Sequence, residues 1–299
     1  MEIIFLGTSS AVHSKERNHP SIAMKAFGDV MLFDCGEGTQ RQLLYTKVSP
    51  MKISKIFITH YHGDHILGLP GLLQSMSLHG RENKLTIYGP EGLHALKDAI
   101  YSLGYCSIEF PVEFIEIDSG IVEETDEYII TSKRVKHNAP CLAYSIEEKK
   151  KPRFLREKAI ELGVPVGPAF GRLHNGEEIE IDGRIIKPEQ VLGEPRKGVK
   201  VTYSGDTMPC EEMIWLAKDS TLLIHESTFI EKERQNAEEH SHSTSVDAAY
   251  IAKESNSKEL ILTHISTRYD GDYLDMMLNE AREIFENTRI ANDLMEIIL

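Results

Sequence analysis

"THYHGDHILG" (59–68) puts His60, His62, Asp64 and His65 within six positions, directly after the apolar run "ISKIFI" (53–58). A short apolar run of this kind predicts a buried strand. The four side chains after it are all metal-ligand types, gathered in a tight turn where Gly63 permits the bend. Neutral imidazole and carboxylate bind zinc at about 2.0–2.2 Å. Four such groups placed so closely do not easily share one tetrahedral ion. Two adjacent ions would use them all, one served by His60 and His62, the other by Asp64 and His65. A polar loop with histidines by chance is a poor rival for three histidines in six positions.

Two ions need further ligands, and the other strand ends supply them. "TSKRVKH" ends at His137, "VTYSGD" at Asp206 and "LILTH" at His264. Open sheets hold their ligands at the carboxyl ends of strands. A lone histidine at a strand end is more often structural, but these residues beside the first cluster reverse that weighting. Asp206 is the best candidate for a bridging carboxylate, because it can offer one oxygen to each ion.

Composition sets the wider frame. The chain has 299 residues, 41% of them hydrophobic, which is ordinary for a globular protein. No apolar run approaches the roughly 18 residues of a membrane span, and "MEIIFLGTSS" reads as a first strand and not a signal peptide. Cys35, Cys106, Cys141 and Cys210 are scattered without a CxxC pair, which suggests free thiols in a cytoplasmic protein. The net charge of −14 argues, taken alone, against a nucleic-acid partner.

Along the chain, strand-like runs mix with helical patterns over 39–47, 70–80, 91–103, 243–255 and 273–287, with Ser243 or Thr244 as cap of the fourth. Several strands follow one another without helices, so the expected fold class is α/β with two packed sheets and helices outside. Residues 148–198 break the rhythm. They are rich in proline and glycine, show little periodicity, and read as an inserted flexible arm within one domain spanning 1–299. From Lys149 to Lys200 there are twelve Lys/Arg against eight Asp/Glu, a net +4 in a chain of −14, so the remainder carries −18. "KKKPRFLREK" (149–158), opening with Lys149, Lys150 and Lys151, is either a solvated loop or a basic arm for a polyanion.

The run "HYHGDH", followed by single His, Asp and His at later strand ends, resembles the metallo-β-lactamase superfamily. That resemblance implies an αβ/βα sandwich with metals at one edge. "FLGTSS" (5–10), "KERN" (15–18), "FDCGEGTQRQL" (33–43), "YSGDT" (203–207), "HESTF" (225–229), "HST" (242–244) and "LTHIS" (262–266) are together similar to the ribonuclease Z family of tRNA 3′-processing endonucleases. "ELGVPVGPAFGRLHNGEEI" (161–179), with Gly167 and Pro168, resembles that family's arm for the tRNA body.

The resemblance implies two Zn²⁺ per subunit, although manganese would also suit carboxylate and imidazole. It implies one ion on His60, His62 and His137, the other on Asp64, His65 and His264, with Asp206 bridging. Asp64 would also accept the attacking water's proton, and His242, supported by Glu226, would protonate the departing ribose 3′-oxygen. Only the HST pattern favours His242 over His240. Asp34 is expected to orient a ligand and His225 to be structural. Ser9, Lys15, Arg17 and Asn18 are expected near the RNA 3′ region, in a loop where the family often has proline and this chain has His13. The implied partners are precursor tRNA and a second copy in a homodimer, with no membrane. Two other readings stay open: a small-molecule phosphodiesterase or thioesterase on the same metals, and a catalytically silent RNA-binding protein.

Overall fold

The apolar runs become strands in two seven-stranded sheets. The computed structural model describes residues 1–104, 107–194 and 196–299; Cys106 and Pro195 lie outside the described residues. The strands are β1 (Glu2–Gly7), β2 (Ser21–Ala26), β3 (Asp29–Phe33), β4 (Ile53–Phe57), β5 (Leu85–Gly89), β6 (Val112–Glu116), β7 (Gly120–Glu124), β8 (Tyr128–Val135) and β9 (Cys141–Glu148). A hairpin of β10 (Ile179–Ile181) and β11 (Arg184–Ile186) follows, then β12 (Lys200–Tyr203), β13 (Leu222–Glu226), β14 (Leu260–Thr263), β15 (Thr288–Ile290) and β16 (Glu296–Ile298). One sheet runs β16-β1-β2-β3-β4-β5-β6, the other β15-β14-β13-β12-β9-β8-β7. In the first, β3 to β6 are parallel; in the second, β12 to β15 are.

Alternation along each strand decides what it packs against. In and just after β4, Ile56 and Ile58 enter the apolar cluster on the helical side. Phe57 turns the other way, stacking between Phe33 (5.1 Å) and Tyr88 (5.0 Å) and meeting Tyr144 of the opposite sheet at 5.5 Å. Helices α1 (Thr39–Leu43), α2 (Gly63–Ile66), α3 (Leu69–Leu78) and α4 (Leu93–Ser102) belong to the first half. On α3, Leu69, Leu72, Leu73 and Met76 form a buried i, i+3, i+4, i+7 stripe. Burying each such side chain contributes about 1.5–3 kcal/mol.

The helices foreseen over 70–80, 91–103, 243–255 and 273–287 are present, with ends displaced by one to three residues. The first pattern, over 39–47, stops at Leu43. The strands β6, β7, β15 and β16 escaped the sequence reading because they are short and partly exposed. Among the described residues, no helix is long and apolar enough to cross a membrane.

Residues 148–198, with 126–128, form a compact unit of their own. The segment holds α5 (Arg156–Glu161), α6 (Pro168–His174) and the β10–β11 hairpin, so it has regular elements where little periodicity was legible. Asp182 and Gly183 take φ of 49° and 76°, the pattern of a two-residue I′ turn. Ala159, Val164, Leu173, Ile179, Ile186 and Val191 form its core, with Phe154 and Phe170 packed against it. Gly167 caps α6 at φ 143° and Pro168 opens it.

Candidate metal centre and active site

Four chain segments bring the predicted ligands to one place. His60, His62, Asp64 and His65 follow β4, His137 follows β8, Asp206 follows β12, and His264 follows β14. Glycine makes two of the close approaches possible. A Cβ on Gly36 would lie 2.3 Å from the Asp64 carbonyl, and one on Gly205 would lie 2.9 Å from Thr59, where φ is already +58°. Asp34 and His264 also sit in the left-handed region, at φ 57° and 59°. Such strain costs of order 1–3 kcal/mol, and it turns both side chains into the site.

The donor atoms converge as two adjoining groups. His60 Nε2 lies 2.9 Å from His62 Nδ1, which lies 3.3 Å from His137 Nε2. Asp206 Oδ2 completes this group, 3.6 Å from His60 Nε2. In the second group, Asp64 Oδ2 is 3.5 Å from His65 Nε2 and 3.4 Å from His264 Nε2. Asp206 joins this group too, with Oδ2 3.4 Å from His65 Nε2 and Oδ1 3.4 Å from His264 Nε2. Bonds of about 2.0–2.1 Å set neighbouring donors of a tetrahedral ion about 3.3 Å apart. The spacings therefore suit two divalent cations sharing Asp206. The buried His65 Nε2 and Asp206 Oδ1 make no hydrogen bond of good geometry, as expected for atoms reserved for a cation. Burial alone would keep Asp206 protonated. His264, His65 and His60 outweigh it and hold the carboxyl well below its usual range.

A second pair stands beside the ligands. Glu226, fully buried at the end of β13, accepts from His242 Nδ1 at 2.8 Å and from the Thr207 amide at 2.9 Å. Burial opposes charge on both members. The carboxylate outweighs this for His242, whose pKa is pushed up to about 9, and His242 in turn draws Glu226 below its ordinary value. The local sequence holds His242 in place. Ser243 Oγ donates to the Thr207 carbonyl at 2.6 Å. Thr244 caps α9 (Ser245–Glu254), the ninth helix after α7 (Glu211–Ala217) and α8 (Arg234–His240), through a reciprocal box with Asp247. His240 instead stacks on Phe229 at 6.3 Å, so geometry joins the HST pattern in selecting His242. A cleft of about 370 Å³ opens over the cluster, with Val12, Asn138, Phe229, His240 and Arg268 on its walls.

Other expected residues land differently. Asp34 Oδ2 accepts from His65 Nδ1 at 2.8 Å, which orients that imidazole. His225 is buried, with Nδ1 bonded to the Glu226 carbonyl at 2.7 Å. Lys15 is exposed. Arg17, expected to face RNA, is only 8% exposed, and here the placement corrects the expectation. Its guanidinium donates to Thr8 Oγ1 and the Ala291 carbonyl, both at 2.7 Å, and to Asn292 Oδ1 at 3.2 Å. A buried guanidinium needs internal acceptors, and the C-terminal segment provides them. Asn18 donates from its amide to Asp293 and from Nδ2 to the Glu37 carbonyl. Ser9 is buried and bonds within its own loop, to the Val12 carbonyl at 2.6 Å. In the separate unit, Lys149, Lys150 and Lys151 are exposed, and Lys151 Nζ meets Asn175 Oδ1 at 3.0 Å. Sequence reasoning passed over Thr59, Tyr203, Thr207 and Thr228. Thr59 directly precedes His60, and the other three lie within the quoted runs "YSGDT" and "HESTF", but no sequence signal assigned any of them a role.

Comparison with known proteins places the chain among relatives. Residues 1–105 match the family described as Anti-Pycsar protein Apyc1, and residues 187–265 match the Beta-lactamase superfamily domain. The chain is 54% identical to a ribonuclease Z of Methanothermobacter thermautotrophicus over 99% of its length and 96% of the relative's. It is 47% identical to a Bacillus cereus ribonuclease Z, with 98% of each covered. The crystal structure of the human tRNase Z short form superposes with a TM-score of 0.73 at 28% identity, covering 100% of this chain and 99% of that one. The two packed sheets are those of a metallo-β-lactamase fold.

Proposed function

This chain belongs to the ribonuclease Z family, and on that premise we propose how its residues carry out the reaction. It is an endoribonuclease, a phosphodiester hydrolase of tRNA 3′ processing. Our finer reading is that it removes the 3′ trailer near the discriminator base, leaving a 3′-hydroxyl on the tRNA and a 5′-phosphate on the trailer.

His60, His62 and His137 would hold one zinc, Asp64, His65 and His264 the other, with Asp206 shared. Two such ions would lower the pKa of a water toward neutrality and offset charge on the scissile phosphate. Asp64 would accept the water's proton. His242, charged at neutral pH because Glu226 faces it, gives its Nε2 proton to the departing ribose 3′-oxygen. The His242–Glu226 contact at 2.8 Å, beside seven metal-type residues, is the observation that carries this reading.

Lys149, Lys150 and Lys151, with Gly167 and Pro168, would grip the tRNA body, and Lys15 and Asn18 would lie near its 3′ region. A homodimer acting in the cytoplasm completes the proposal; sedimentation velocity tests the dimer. The deciding assay is cleavage of a 3′-extended precursor tRNA by zinc-loaded protein, with product ends mapped. A single cut near the discriminator base, strongly slowed by His242→Ala, is the expected outcome. Hydrolysis of small phosphodiesters without any cut in the precursor would refute it.

A further inference from the structure

Two buried carboxylates flank the ligand cluster, and a threonine stands against each. Asp34 is wholly buried, and its Oδ2 accepts from His65 Nδ1 at 2.8 Å and from the Tyr203 hydroxyl at 3.0 Å. The Thr59 hydroxyl lies 3.0 Å from each Asp34 oxygen and 3.0 Å from His60 Nδ1. An ionised carboxylate only accepts, and a hydroxyl has one hydrogen to give. Thr59 therefore donates to Asp34 and accepts from His60. That leaves the His60 proton on Nδ1 and aims its Nε2 at the metal donors.

The opposite side repeats the arrangement with different residues. Glu226 Oε1 takes the His242 bond, while Oε2 accepts from the Thr228 hydroxyl at 2.7 Å. The same hydroxyl lies 2.8 Å from His264 Nδ1. By the same reasoning it accepts from His264, whose Nε2 then faces Asp64 and Asp206. Neither histidine has a good substitute partner. The nearest alternative for His60 Nδ1 is the Cys141 sulfur at 3.7 Å, a weak acceptor. Among the described residues, no other hydrogen bond reaches His264 Nδ1.

We propose that Thr59 and Thr228 are positioning residues, each passing the hold of one buried carboxylate on to a second histidine of the metal site. Asp34 thus orients His65 directly and His60 through Thr59. Glu226 holds the proton donor His242 directly and the ligand His264 through Thr228. The inference rests on the metal-dependent reading above, yet its test needs no RNA. Outer partners of metal-bound histidine fix its tautomer and ring angle, and losing one typically weakens metal binding ~10–100-fold.

Zinc affinity of the full chain, read by competition with a chromophoric chelator, is the measurement. Thr59→Val and Thr228→Val should each weaken binding of one zinc ~10–100-fold, whereas Thr59→Ser and Thr228→Ser, which keep the hydroxyl, should bind as the parent does. Valine variants with parental affinity, or serine variants as weak as the valine ones, would overturn the proposal. Nitrogen-15 histidine spectra of the zinc-loaded parent provide a check that needs no variant to fold. His60 and His264 should carry their protons on Nδ1, and a proton on Nε2 of either refutes the relay. If this pattern holds while precursor tRNA is not cut, the relay stands and the endonuclease reading alone fails.

Discussion

The metal cluster and the inserted unit of 148–198 solve different physical problems in one chain. Around the cluster, His60, His65, Asp206, Glu226 and His264 are almost wholly buried, and the three rings and the Glu226 carboxylate are each fixed by at least one further partner. In the inserted unit, six small-to-medium apolar residues make the core, and Lys149, Lys150 and Lys151 lie exposed. Moving protons and binding cations depends on donor atoms held within fractions of an ångström. Gripping a polyanion depends chiefly on charge and reach, since phosphate contacts are tolerant of geometry. The acidic body, with a net −18 outside 149–200, and the basic segment follow from that division.

The sharpest way to break this contrast is to remove the acid without touching the unit. His242→Ala should slow precursor tRNA cleavage by ~10²–10⁴-fold, the usual contribution of general acid catalysis. The same variant should hydrolyse bis(p-nitrophenyl) phosphate nearly as fast as the parent, because its leaving group departs without a proton. Equal losses on both substrates would mean that His242 serves the metals and not the leaving group.

Deleting residues 150–196 makes the converse cut. Precursor cleavage should fall by ~10²-fold or more through lost phosphate contacts, with the small diester spared. A deletion that harmed both substrates alike would remove the functional division proposed for the unit.

A smaller effect lies in the pH profile. His242 is held charged by Glu226, its pKa raised to about 9, so the proton it must donate is present at neutral pH and lost as pH rises through that value. In Glu226→Gln this support is gone, and the alkaline limb of kcat/KM should move to lower pH. An unmoved limb would assign it to another group.

The smallest expected change is in salt dependence. Replacing Lys149, Lys150 and Lys151 by Gln should flatten the plot of log KM against log salt by up to ~2, if each lysine meets a phosphate. An unchanged slope would place the phosphate grip elsewhere.

The metal site was legible to an unusual degree because its chemistry is concentrated in types and spacings. His60, His62, Asp64 and His65 occupy one turn, and His137, Asp206 and His264 each close an apolar or alternating run. The inserted unit was harder to read. Its helices are seven residues or shorter and its strands three, too brief for periodicity to stand out. The Asp182–Gly183 pair between "IEI" and "RII" was the available hairpin signal.

By itself, the sequence determined which side chains could serve as ligands, the alternation that makes two sheets, and the charge separation, since all are local properties of residue type and order. Tertiary structure alone decided which way Arg17 points and that Thr59 and Thr228 stand between carboxylates and histidines. Those facts depend on partners as far apart in the chain as Arg17 and Ala291. A threonine beside a ligand looks like any threonine until folding brings a carboxylate to its hydroxyl.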